Sequence, residues 1–197
     1  MNFILRHGNS WQKIWGIDGF TKADNKRQRG VSRMASLEVV LEKTDNVFSE
    51  EEKIALAEKK NDMYVKSLSE ISKEDVLPGV FEFIDYIKSK GIKTAVGSAS
   101  KNTPLILEKT GLADKFDAVS CGLDTTKSKP NPEVFLIAAK KLGMDPKDCI
   151  VIEDFDAGIE AAKAGGMYAL AVGAAKENKK ADFSAENLAE EKIRMWI

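Results

Sequence analysis

Histidine and cysteine are scarce in this chain of 197 residues, which contains one histidine, His7, and two cysteines, Cys121 and Cys149. A structural zinc site needs about four Cys or His ligands, and a Ser-His-Asp triad would depend on the single histidine. The sequence therefore argues against both kinds of site. The two cysteines stand apart among apolar residues without the paired spacing of a disulfide framework, so we expect buried, reduced thiols.

Long apolar runs are also missing, because no stretch approaches the roughly 20 residues of a membrane span, and the apolar run near the N-terminus is too short for a secretory signal. The charges balance, with 30 Lys and Arg against 31 Asp and Glu, so the electrostatic footprint of a nucleic-acid-binding protein is lacking. Hydrophobic residues make up 43% of the chain, which is enough for a sizeable core. We expect a cytoplasmic protein without nucleic-acid or membrane partners, and a monomer is the default.

Two kinds of pattern divide the chain near residue 70. Residues 33–69 are polar, with apolar residues such as Ile54 at three- and four-residue spacing, which predicts two amphipathic helices. Ser49 and Glu52 form a capping-box signature at the start of the second helix. From residue 75 onward, helices alternate with short apolar strands, which predicts a doubly wound α/β core. The predicted strands span residues 92–97, 118–121, 149–152 and 167–172.

The first two of these strands are followed by residues suited to phosphate, at the strand ends where parallel sheets bind ligands. The first leads into Ser98-Ala99-Ser100-Lys101-Asn102, whose hydroxyls, amides and lysine suit an anion. Ser and Asn are equally ordinary helix caps. The second leads to Lys129, and prolines on both sides of Asn131 restrain the adjoining backbone. Lys129 is either a point charge for a phosphoryl group or carboxylate or a solvent lysine.

The next strand delivers two adjacent carboxylates, Glu153 and Asp154, directly from the apolar run 149–152. Neighbouring carboxylates repel one another unless a cation or a lysine neutralises them. Hard oxygen ligands of this kind suit Mg²⁺, which binds one or two carboxylates together with waters and substrate phosphate. The sequence therefore predicts a Mg²⁺ site at this end of the sheet.

Ser98, Lys129 and Glu153-Asp154 occur in the order of the later motifs of the haloacid dehalogenase superfamily of phosphotransferases, which this chain resembles. Within that superfamily the chain is similar to the β-phosphoglucomutase family over residues 7–175. The resemblance implies a Rossmann-like core over residues 73–197 and a helical cap over residues 1–72. The stretches that carry it are Gly30-Val31-Ser32-Arg33, Lys60-Asn61-Asp62, Ser98 to Asn102, Ser128-Lys129-Pro130, Glu153-Asp154 with Ala157-Gly158-Ile159, and the pair His7 and Trp11.

The resemblance also implies a role for individual residues. Ser98 and Lys129 would bind the transferred phosphoryl group, and Glu153 and Asp154 would hold Mg²⁺. His7 would orient the acid/base groups. Arg33, together with Ser100, Lys101 and Asn102, would bind the second phosphate of a sugar bisphosphate, and Lys60 would contact sugar hydroxyls. The remaining substrate-binding candidates are Trp11, Gly30, Val31, Ser32, Asn61 and Ala99.

The superfamily's first motif, an Asp-x-Asp after the first strand, has no counterpart here, because no aspartate precedes Asp18. In the family these residues are the nucleophile and the general acid/base. We therefore expect that the chain as written lacks the first core strand and is inactive, and that it is a fragment, a decayed copy or a chain whose native start lies before Met1. With the motif supplied, the expected reaction interconverts β-D-glucose 1-phosphate and glucose 6-phosphate. The alternatives are a sugar-phosphate phosphatase and a non-catalytic phosphate-binding remnant.

Overall fold

The computed structural model describes residues 19–28 and 30–197, so the candidates His7 and Trp11 lie outside the described residues. None of the described helices is long and apolar enough to cross a membrane. The helices are α1 (Lys22–Arg27), α2 (Arg33–Leu41), α3 (Glu50–Ser67), α4 (Val80–Ser89), α5 (Thr103–Lys109), α6 (Glu133–Leu142) and α7 (Asp156–Ala164). The strands are β1 (Ala95–Gly97), β2 (Ala118–Ser120), β3 (Ile150–Glu153), β4 (Tyr168–Val172) and β5 (Phe183–Ala185).

Helices α2 and α3 pack against one another as an apolar layer, and the capping box at the start of α3 is confirmed. The Ser49 hydroxyl accepts a hydrogen bond from the Glu52 amide at 3.2 Å, and the Glu52 carboxylate accepts one from the Ser49 amide at 2.7 Å. Leu37 and Ala57 are buried between the helices. The prediction that Ile54 joins this buried stripe is wrong, since it is 52% exposed, and other α3 residues, including Ala57, supply the packed face.

In the described part of the chain, the strands pair in parallel and form two separate sheets. Strands β1 and β2 form one sheet, in which Gly97 lies beside Ser120. Strands β3, β4 and β5 form the other sheet in that order. Within residues 19–28 and 30–197, β1 is paired only with β2, and β3 only with β4. The carboxyl ends of β1 and β3 are nevertheless connected through one lysine side chain, which is described below.

Helices cover both faces of the three-stranded sheet. Successive side chains of β4 point to opposite faces, and each face packs against its own helices. Ala169 and Ala171 join the core cluster formed with α6 and α7. Leu170, which lies between them, packs with Phe83 and Ile87 of α4 on the other face. This arrangement confirms the doubly wound α/β architecture predicted from the sequence.

Two departures from the predicted elements have local causes. The first strand begins at Ala95 rather than at residue 92, because the Ile92 amide instead donates to the Ile87 carbonyl and so ends α4. Strand β5 was not predicted. Its three residues form a third parallel ladder beside β4, where the Phe183 ring stacks on Trp196 at a centroid distance of 5.1 Å. Phe183-Ser184-Ala185 has one large apolar residue and follows a Lys-rich segment, so it lacks the apolar run that marks the other strands.

Candidate functional site

The loop that follows β1 is held by a series of short-range hydrogen bonds. The Ser98 amide donates to the Ser120 carbonyl at 3.0 Å, which extends the β1–β2 pairing by one residue. The Ser100 amide then donates to the Ser98 hydroxyl at 3.2 Å, and the Asn102 amide donates to the Ser100 hydroxyl at 3.1 Å. The predicted phosphate loop is therefore an ordered, half-buried turn just before α5.

Gly122 is a supporting residue of this loop that sequence reasoning missed. A Cβ atom at this position would collide with the Ala99 carbonyl oxygen and would crowd the Lys101 amide. The Gly122 amide also donates to the Ser100 carbonyl at 3.2 Å. The absence of a side chain therefore lets the segment after β2 lie directly against the loop, while the side chain of Lys101 remains exposed.

Lys129 is buried, with 7% of its surface exposed, which removes the alternative of a solvent lysine. Its ammonium group donates to the Gly97 carbonyl at 3.2 Å and to the Glu153 carboxylate. It also lies 4.5 Å from the centroid of the Phe135 ring, within cation–π range. A buried ammonium needs such partners because its desolvation is costly. Lys129 therefore joins the carboxyl ends of β1 and β3.

Phe135 owes its position under Lys129 to the glycine at the end of β1. A Cβ atom on Gly97 would lie 2.5 Å from the Phe135 ring atom Cδ1, closer than atoms can approach. The ring therefore occupies the space that a side chain at position 97 would fill. Phe135 gave no functional signal in the sequence, where it is an ordinary apolar residue of a helix.

Glu153 and Asp154 lie where the sequence predicts them, at and just after the end of the buried strand β3. The Glu153 carboxylate pairs with Lys129 through Oε1 and accepts the Asp154 amide through Oε2 at 3.2 Å. A Cβ atom on Gly158 of α7 would collide with the Glu153 carboxyl group, so this glycine makes room for the carboxylate. Phe155 separates the pair from α7.

The donor set at this strand end fits Mg²⁺. Within the part of the chain that the structure describes, no group of three or more His, Cys, Asp or Glu side chains could hold a metal ion. Mg²⁺ does not require such a group, because it commonly takes one or two carboxylates and keeps water or substrate oxygens as its other ligands. Asp154, which is half-buried at this strand end, and the remaining lone pairs of the Glu153 carboxylate could supply that smaller set.

The helical layer contributes two neighbouring cations. The Lys60 ammonium donates to the hydroxyl of Ser36 at 2.6 Å, and Ser36 is a residue that sequence reasoning missed. Burial, followed by the positive charge of Arg33, lowers the pKa of Lys60 to about 8. Ser32 caps α2 by accepting the Ala35 amide at 3.2 Å, which places Arg33 in its first turn. Two like charges held together in this way favour a bound anion.

The two halves of the site are in direct contact. The side-chain amide of Asn102 donates to the side-chain oxygen of Asn61 at 2.9 Å, across 41 residues of sequence. In a second contact, a Cβ atom on Gly30 would lie 4.0 Å from the Cβ of Phe155. The structure therefore places Lys60-Asn61 and the 30–33 segment next to the core loops, and Val31 and Ser32 are half-buried there.

Comparison with known proteins decides the family. A family model described as haloacid dehalogenase-like hydrolase matches residues 5–166. The chain belongs to this family. The haloacid dehalogenase fold, with its parallel sheets and helical cap, is therefore confirmed.

The predicted likeness to β-phosphoglucomutases is confirmed by two relatives, and a phosphatase is also similar to this chain. The chain is 38% identical over 156 residues to the beta-phosphoglucomutase of Bacillus subtilis strain 168, which covers 78% of this chain and 69% of the relative. The crystal structure of beta-phosphoglucomutase from Clostridium difficile matches with a TM-score of 0.88 and 37% identity, over 98% of this chain and 90% of the other. A phosphorylated carbohydrates phosphatase of Thermotoga maritima is 30% identical over 151 residues, 75% of this chain and 67% of the relative.

Proposed function

We propose that this site binds phosphorylated sugars for phosphoryl transfer of the β-phosphoglucomutase type, which interconverts β-D-glucose 1-phosphate and glucose 6-phosphate through a bisphosphate. The observation that carries the proposal is the pairing of two cationic groups across the Asn61–Asn102 contact. Arg33 and Lys60 lie on the cap side, and Lys129 lies on the core side. A ligand with phosphate at both ends would place one phosphate against each group.

In this proposal the core groups bind the phosphoryl group that is transferred. Lys129 is held rigidly by its three partners, and Ser98 lies beside the Gly97 carbonyl that Lys129 contacts. An ammonium about 4 Å from a phosphate contributes on the order of 4 kcal/mol per unit charge at an effective dielectric near 20. Fixing that charge before the ligand arrives is the main catalytic contribution a protein makes to phosphoryl transfer.

The second phosphate would lie between the cap and the loop after β1. Arg33 offers a planar guanidinium that can clamp a phosphate through two hydrogen bonds, and Ser100, Lys101 and Asn102 complete this group from the core. Lys60 would contact sugar hydroxyls. His7 would orient the acid/base groups and Trp11 would face the substrate, as the family resemblance implies for these two positions.

Glu153 and Asp154 would hold Mg²⁺, whose charge offsets that of the phosphoryl oxygens. The transfer also needs a nucleophile and an acid/base pair. In the family that this chain resembles, these roles belong to the Asp-x-Asp motif, which has no counterpart in this sequence. We therefore infer that the 197-residue chain binds the sugar phosphate without turning it over.

Calorimetry with glucose 6-phosphate and Mg²⁺ tests whether the chain binds the sugar phosphate. A coupled glucose 6-phosphate assay tests whether the chain turns it over. Binding without turnover is the expected result. Measurable turnover by the chain would overturn the inference that it is inactive. A folded chain that fails to bind glucose 6-phosphate and glucose 1,6-bisphosphate would overturn the proposed function itself.

A sugar-phosphate phosphatase is the second candidate, favoured by the similarity to the Thermotoga maritima phosphatase. A phosphatase has no need to hold a second phosphate, so Arg33 separates the two functions. In the mutase proposal, Arg33→Ala lowers the affinity for glucose 1,6-bisphosphate at least tenfold and leaves the affinity for inorganic phosphate unchanged. Equal losses for both ligands, or no loss for either, would favour the phosphatase.

A further inference from the structure

We propose that Asn61 is a positioning residue, whose side-chain oxygen holds Asn102 and thereby fixes the phosphate loop relative to the cap. The proposal rests on the function proposed above and assigns Asn61 a task within that site. Its starting point is the 2.9 Å hydrogen bond from Asn102 Nδ2 to Asn61 Oδ1. Asn61 acts through Asn102 and is not required to touch the ligand.

Asn102 is turned toward the cap rather than toward its own helix. It occupies the position before the first residue of α5, where an asparagine side chain ordinarily accepts a hydrogen bond from the helix. Here its side chain makes no such bond, and its amide group instead donates to Asn61. The usual local use of this side chain is therefore replaced by a long-range contact.

The contact continues into the core through the backbone. The Asn102 amide donates to the Ser100 hydroxyl, and the Ser100 amide donates to the Ser98 hydroxyl. Asn61, Asn102, Ser100 and Ser98 thus form a single series of hydrogen bonds. A shift of Asn61 would be transmitted to the hydroxyl that we place at the transferred phosphoryl group.

The same turn of α3 carries the cationic group of the cap. Lys60, the neighbour of Asn61, donates to Ser36 of α2, so α2 and the start of this turn move together. The Asn61 contact therefore sets the distance between the cap cations and the core loop. Only with that distance fixed can both groups bind one ligand.

Amide hydrogen exchange of the ligand-free chain tests the link directly. With Asn61→Ala, the exchange rates of the Ser100 and Asn102 amides should rise about fivefold, the factor that corresponds to loss of one ordinary hydrogen bond. Asn61→Asp keeps an acceptor at Oδ1 and should retain the slow rates. Asp62→Ala is the matched control, because Asp62 is the next residue of α3 and is exposed.

Binding supplies the second readout. The affinity for glucose 6-phosphate should fall about fivefold in Asn61→Ala, and adding Asn61→Ala to Asn102→Ala should cause no further loss. The proposal is overturned if Asn61→Ala matches the Asp62→Ala control in exchange, or if Asn61→Asp behaves like Asn61→Ala. If the unmodified chain does not bind glucose 6-phosphate, the proposed function fails, whereas the exchange rates still decide the role of Asn61.

Discussion

Sugar-phosphate binding should weaken as the pH rises through 8, because the cap cation Lys60 loses its proton there. Its pKa is lowered to about 8 by burial and by the charge of Arg33, whereas an ordinary lysine titrates near 10.4. About 90% of Lys60 is then protonated at pH 7 and about 10% at pH 9, since each pH unit beyond the pKa changes the ratio tenfold. The second pKa of a phosphate is about 6, so the ligand's own charge is constant over this range.

The assay is calorimetry with glucose 6-phosphate between pH 7 and 9.5. The dissociation constant should stay level to about pH 7.5 and then rise by up to about tenfold per pH unit, until the pH exceeds the raised pKa that Lys60 has in the complex. Binding at pH 8.5 should also take up a proton, because a bound anion raises the pKa of Lys60, and this uptake is measured by repeating the titration in buffers of different ionisation enthalpy.

Two variants isolate the effect. Lys60→Arg stays charged throughout and should give a dissociation constant that is independent of pH, and Lys60→Met should bind weakly and equally at every pH.

The stability of the ligand-free chain should change in the opposite sense, rising with pH where the affinity falls. The unfolded chain holds its lysine proton up to about pH 10.4, so the Lys60 contribution to stability rises between pH 8 and that value. If the dissociation constant for glucose 6-phosphate still depends on pH in Lys60→Met, the reasoning is refuted.

Three further outcomes follow from the contacts around the site. Gly158→Ala should displace the Glu153 carboxylate, because the new Cβ would occupy its place; Mg²⁺ affinity measured by calorimetry should fall at least tenfold, and an unchanged value would contradict the assignment of Glu153. Lys129→Met should lower the unfolding free energy by about 3–5 kcal/mol in urea titrations, since it leaves a buried carboxylate without its partner. Adding Glu153→Gln should recover part of that loss, and a further decrease would count against the ion pair. Ser49→Ala should cost about 1 kcal/mol through loss of the capping box, which a shift of the urea midpoint detects, whereas an unchanged midpoint would show that α3 does not depend on this cap.

The sequence was sufficient for features that short stretches determine. The Ser49–Glu52 cap involves residues three apart, and the ends of β1 and β3 are marked by a change from apolar to polar residues within one or two positions. The order of Ser98, Lys129 and Glu153 along the chain added a family resemblance to these local signals. Fold class and the position of the candidate site could therefore be predicted before any contact was known.

Contacts between distant residues could not be predicted in the same way. Lys129 was as compatible with solvent as with a site, because its partners Gly97 and Glu153 lie 32 and 24 residues away. Ser36 and Gly122 carry no motif, and their roles arise only from packing against Lys60 and the loop after β1. The domain boundary near residue 72 and the roles assigned to individual site residues remain predictions.

The close approach of the Phe135 ring to Gly97 has a consequence for how these two positions can vary. Since the ring fills the volume of the missing side chain, neither position can gain bulk by itself. In homologues a larger residue at the position of Gly97 should be accompanied by a smaller one at that of Phe135, and such a pair would also lose the aromatic support beneath the lysine. Covariation of the two positions would thus record, in sequence, the constraint that keeps the Lys129 ammonium in place.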